Sequence, residues 1–283
     1  MDVDRFIILI DKYRGPIKQH LEEIGLFQLN EYESFLRKIL IRFYSTITAV
    51  RAVLIELKND PQIYTPVALL LRSINTDYLT ILYLETFAQQ DTDYQIACLN
   101  ELKILDRDYV RFLRKFSSIE LEFVETNNQS WEKYINNLKL AVKNHHTEYD
   151  TFYTKSKGGP LLIKNESIRE KTPDQFFKAP KDKTKSFSEE EKHERLKNYK
   201  LAKWATQAFL AFKFYSQYQH VSPLFLNLRN DQQRVVSTMF FNFTMENIII
   251  GSQIILSRIY KPNKKIKSEL KAILDECEKL MIK

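Results

Sequence analysis

The chain has 283 residues, 44% of them hydrophobic and 28% charged, with 5 glycines, 8 prolines and a formal net charge of +7. That length can bury a substantial core as one large helical domain or two smaller ones, and so little glycine and proline excludes a sheet-rich fold built on tight turns. Two cysteines, Cys98 and Cys277, far apart and without paired spacing, exclude a disulfide scaffold or a zinc knuckle.

In chain order, MDVDRFIILIDKYRG carries a short apolar run flanked by acids. It is a poor signal peptide and too short to span a bilayer, so a cytoplasmic protein is expected. Residues 2–24 read as one or two helices interrupted at Gly15-Pro16. Asn30 reads as an N-cap, with Glu31 and Glu33 in the first turn of a helix that runs to about Lys58. Phe35, Ile39, Phe43, Ile47, Val50 and Leu54 recur at helical spacing along it.

The next helix, about 66–90, is opened by Thr65 and Pro66 and is apolar on nearly every side. Such a helix is surrounded by others. It carries Arg72, with Asn75, Thr76 and Tyr83 on the same face, whereas Asp77 falls on another. A guanidinium stays charged, so Arg72 needs a carboxylate, carbonyls or a ligand anion.

Residues 91–117 and about 118–146 read as two further helices, the second with Phe123, Trp131, Ile135, Leu138 and Val142 spaced as a buried stripe. Composition changes at Thr151. The segment 152–187 contains three prolines and nine basic against four acidic residues, without a sustained period, and reads as a long basic loop. Helical pattern resumes at Ser188 with Glu189, Glu190 and Glu191, and reads as continuing to Tyr218. Glu189–Glu194 with His193 has the composition of an exposed charged face. A second apolar helix spans about 231–260, and 263–282 read as a charged amphipathic helix. The fold class is therefore all-α, a multi-helix bundle around the two apolar helices at about 66–90 and 231–260. It reads as a single helical domain over 1–283, with 152–187 as a loop-like insertion.

On the helix at 231–260, Asn242, Glu246, Gln253 and Ser257 fall within about 40° of one line at 100° per residue. A carboxylate there is costly at mid-membrane, so no membrane span is expected. Glu246 is the natural carboxylate to neutralise Arg72. The two read either as a buried pair that fixes helix register or as the lining of a polar cavity with Asn75, Tyr83 and Asn242. His220 lies near a helix end, four residues after Ser216, where an imidazole can cap carbonyls. The candidate ligand-binding set is thus Arg72, Asn75, Tyr83, Asn242, Glu246 and His220.

The Arg72-Ser73 step, together with Ser216-x-x-x-His220-x-Ser222, resembles uncharacterised all-helical bacterial proteins grouped loosely near the HEPN superfamily of ribonucleases and nucleotide-binding helical domains. The resemblance covers about 65–88 and 213–257. HEPN ribonucleases carry an arginine, four to six intervening residues, then a histidine; here the nearest basic residue at such a range before His220 is Lys213, and the pattern itself occurs at Arg14 to His20. The resemblance implies a metal-independent ribonuclease using His220 with Arg72 or Lys213.

The basic excess lies in 152–187 and in 261–271, which holds five lysines and Glu269. These segments keep the chain soluble, and they are where nucleic acid could be held. No glycine loop, metal-ligand spacing or carboxylate cluster specifies an enzyme, and no metal or cofactor is expected. A binding or regulatory module for an unknown protein or small-molecule partner is the leading expectation. A HEPN-like ribonuclease and a structural subunit of a bacterial defence or toxin–antitoxin assembly are the alternatives.

Overall fold

The computed structural model describes residues 3–58, 64–127, 131–155, 161–163, 188–217, 230–259 and 264–281. The protein is an all-α multi-helix bundle. Its contacts divide the chain into two compact units, residues 1–88 with 187–283, and residues 89–186.

The first unit begins with α1 (Val3–Ile24) and α2 (Glu31–Leu57). The expected interruption at Gly15-Pro16 does not occur, and α1 carries Pro16 inside it. An interior proline costs about 3 kcal/mol or more. The buried row Phe6, Leu9, Ile10, Tyr13, Ile17, His20 and Ile24 continues on both sides of it, and that packing outweighs the lost hydrogen bond. Asn30 caps α2 as expected. Its side chain accepts from the Glu33 amide at 3.0 Å, and its own amide donates to the Glu33 carboxylate at 2.9 Å.

α3 (Tyr64–Glu85) starts one residue ahead of Thr65 and stops five short of Gln90. The same unit continues with α6 (Glu189–Leu196), α7 (Ala202–Ser216), α8 (Asn230–Ile259) and α9 (Lys264–Met281). The single helix expected from Ser188 to Tyr218 is two helices, broken at residues 197–201; Tyr218 lies outside the described residues. α3 packs against α2, α6, α7 and α8, and α8 against α2, α3, α7 and α9. The two apolar helices thus form the centre of this unit. Thr238–Ile259 is long and apolar enough to cross a membrane, and 67% of its apolar window is buried inside the fold.

The second unit is built on α4 (Asp91–Asn127) and α5 (Glu132–Phe152), which pack side by side. The boundary expected near Ser118 is absent, and α4 runs ten residues further. Of the expected buried stripe, Ile135 and Leu138 are buried with Val124, while Phe123 and Trp131 are exposed. Two antiparallel strands, β1 (Tyr153–Lys155) and β2 (Leu161–Ile163), pair Tyr153 with Ile163 and Lys155 with Leu161. The start of the expected loop is therefore a short hairpin; 156–160 and 164–187 lie outside the described residues.

Candidate functional site

Three helices meet along one face of α3. Arg72 is half-buried there, and its Nε donates to Ser216 Oγ at 2.9 Å; Ser216 in turn donates to the Phe212 carbonyl at 2.7 Å. The guanidinium carbon lies 4.9 Å from the centre of the Phe212 ring. Lys213 lies 5.9 Å from the same ring and 5.3 Å from Phe209, and it is ion-paired with Glu190. Phe212 thus carries a cation from α3 and one from its own helix.

Two to four turns along α3, the pattern recurs with α6. Thr80 Oγ1 accepts from the buried Lys192 ammonium at 2.9 Å, and that ammonium lies 5.7 Å from the Tyr83 ring. Arg195 spreads over Tyr83 at 5.8 Å and Phe87 at 4.8 Å, and its Nε donates to Thr86 Oγ1 at 3.3 Å. α6 keeps Glu190 and Glu194 exposed, as its composition suggests, but its other side is buried. Lys192, His193 and Leu196 are buried, because the helix rests on α3 and α7, and His193 stacks on Phe209 with ring centres 4.3 Å apart.

Acids enter this seam at defined places. Asp77 pairs with Arg42 of α2 at 3.2 Å, and Glu194 pairs with Lys197. Burial pushes the Asp77 carboxyl up to about 6, against the pull of Arg42 and Lys192. Neither Arg72 nor Arg195 forms an ion pair with a carboxylate among the described residues.

The remaining candidates belong to a separate layer between α3, α7 and α8. Asn75 donates to Thr244 Oγ1 at 2.9 Å and accepts from Asn247 at 2.8 Å. Gln207 of α7 donates to the Glu246 carboxylate at 2.7 Å. Glu246 is buried, as are Asn75 and Asn242. Burial, and then the Glu246 charge, push the Tyr78 phenol up. The expected contact between Arg72 and Glu246 is absent: the arginine turns toward α7 and the carboxylate toward Gln207 and Tyr78. Each makes one hydrogen bond to a group of α7 instead, Arg72 Nε to the Ser216 hydroxyl and one Glu246 oxygen to the Gln207 amide.

The structure thus brings Arg72 and Lys213 to one ring and places Tyr83 farther along the same seam. Asn75 and Glu246 fall in the buried layer instead. His220 lies outside the described residues, as do the side chains of 152–187 and of the lysines at 261–267; Lys271 is exposed. Sequence reading missed Lys192 and Arg195, which come from a different helix than the rings they cover. Cys98 and Cys277 are buried and unbridged. No family model matches the sequence, and no curated protein or solved structure matches it either.

Proposed function

We propose that this chain is a helical binding module whose ligand carries phosphate groups, held by the guanidinium groups of Arg72 and Arg195. One observation carries the reading. Both arginines are positioned by an aromatic ring and a hydroxyl, and neither is neutralised by a carboxylate among the described residues. A guanidinium held in this way has N–H groups left for a planar or tetrahedral anion. Phe212, Tyr83 and Phe87 are themselves buried, so the seam offers cations rather than open rings for base stacking. Recognition of the phosphate backbone rather than the bases follows from that.

Fluorescence anisotropy with a labelled oligouridylate tests the reading, with inorganic pyrophosphate as competitor. Arg72→Gln is expected to weaken binding about tenfold, the worth of one charge-assisted hydrogen bond. Unchanged affinity in that variant would remove Arg72 from the site.

The ribonuclease reading draws on one feature of the same seam, the placing of Arg72 and Lys213 around Phe212. It needs a proton-transfer group, for which His220 is the candidate. Cleavage of RNA in EDTA that is lost in His220→Ala, with binding retained, would support it. A role as subunit of a bacterial defence or toxin–antitoxin assembly is separated from both by the genes that flank this one.

A further inference from the structure

Among the described residues, the second unit has a long exposed apolar face. On α4, Leu105, Tyr109, Phe112, Phe116, Ile119 and Phe123 are each between 46% and 62% exposed. Their spacing of four, three, four, three and four residues is a heptad seam, and at 100° per residue all six lie within about 40° of one line. Phe112 and Phe116 stack with centres 5.6 Å apart. Beside them on α5, Tyr134 donates to Glu120 at 2.6 Å and meets Trp131 edge-on, adding two more half-exposed rings.

A pair of helices has one shared interior. Val124, Ile135 and Leu138 lie in that interior, and at 100° per residue the seam is centred about 100° round α4 from Val124. With 150–250 Å² in each aromatic side chain, half-exposed, the six residues and two flanking rings leave roughly 700 Å² of apolar surface open per copy. That exceeds what a monomer ordinarily exposes in one patch, and two such faces together bury roughly 1,400 Å², inside the range of specific, stable interfaces.

We infer that this face is the interface of an antiparallel homodimer, with a second copy of the chain as its occupant. The spacing reads the same from either end. An antiparallel copy, related by a two-fold axis through the midpoint between Phe112 and Phe116, sets Leu105 against Phe123, Tyr109 against Ile119 and Phe112 against Phe116. The outer layers then match one aliphatic side chain to one aromatic ring, the alternation of sizes that interdigitates well. A two-fold interface uses the same patch on both subunits, and this patch is complementary to itself in that sense. A lipid surface fits less well. Residues 105–125 hold five acids against four basic residues, whereas interfacial helices are rich in lysine and arginine.

Sedimentation equilibrium of the full chain tests this independently of any ligand. A concentration-dependent monomer–dimer equilibrium is expected. Phe112→Glu with Phe116→Glu should raise the dimer dissociation constant by roughly 100-fold or more, with the circular dichroism of the folded chain unchanged because both sites are exposed in the monomer. Tyr109→Glu or Ile119→Lys alone should weaken the dimer. Both in one chain should restore it, because the antiparallel register sets each new carboxylate against a new ammonium. A chain that stays monomeric at every concentration would overturn the proposal, as would a dimer indifferent to the Phe112 and Phe116 changes. So would failure of the combined variant to recover, or a monomer that binds phosphatidylcholine–phosphatidylserine vesicles through this face.

Discussion

Arg72 and Glu246 lie on two central helices that pack together, yet each hydrogen-bonds to a different residue of α7: Ser216 for the guanidinium and Gln207 for the carboxylate. Their energies should therefore add. Arg72→Ala is expected to cost about 1–2 kcal/mol for its charge-assisted hydrogen bond and packing on Phe212. In a urea double-mutant cycle with Glu246→Ala the coupling should lie within about 0.5 kcal/mol of zero. A coupling of about 2 kcal/mol or more would mean that the two charges sense each other directly.

The helical class, two N-caps and the two apolar central helices are legible because each depends on neighbours in sequence. Asn30 and Ser188 are N-caps, and each completes a capping box, with Glu33 and Glu191 respectively. Asp77 was rightly separated from Arg72 by its angle on the helix, and its partner is Arg42. Other failures depend on contacts between elements. Pro16 reads locally as a break, and only the packed row on either side of it keeps α1 continuous. Lys192 and Arg195 sit in a sequence dense with charge, and only the fold lays them over Tyr83 and Phe87. Phe123 reads as one stripe with Ile135 and Leu138 only if a single helix holds all three; it lies on α4 and they lie on α5, so the stripe is cut by the break between the helices.

Gly251 of α8 lies close against rings of α2 and α3. A Cβ there would stand 2.9 Å from ring atoms of both Phe43 and Tyr78. These are rigid rings from α2 and α3, so neither can swing aside as a flexible chain end would. Gly251→Ala should destabilise by about 1–3 kcal/mol in urea unfolding despite alanine's better helix propensity. An unchanged or raised midpoint would show that the three helices can separate at no cost.

Asp77 gives a pH dependence of unusual sign. Its side chain is 12% exposed, and burial raises its pKa from 3.8 to about 6. Between those values the folded carboxyl keeps a proton that the unfolded chain has lost, so stability falls as pH rises. The contribution is fully present below about pH 4, and the loss levels off above the folded pKa at a size of order 3 kcal/mol. Burial lowers the pKa of His20 and His193, which gives the opposite slope, but those groups are shared by an Asp77→Asn variant. The variant should therefore gain on the wild type as pH is raised from about 4 to 7.5. A constant difference between the two proteins across that range would contradict the shift.

The phosphate-binding reading is tested most directly by the salt dependence of oligouridylate binding. Each cation that neutralises a single-strand phosphate steepens the plot of log affinity against log salt by about 0.7. Arg72→Gln and Arg195→Gln should each flatten the slope by that amount, and the double variant by about 1.4, with helical content unchanged. A double variant that keeps both the wild-type slope and the wild-type affinity would show that these arginines only cover the rings beneath them, and the ligand site would have to be sought elsewhere.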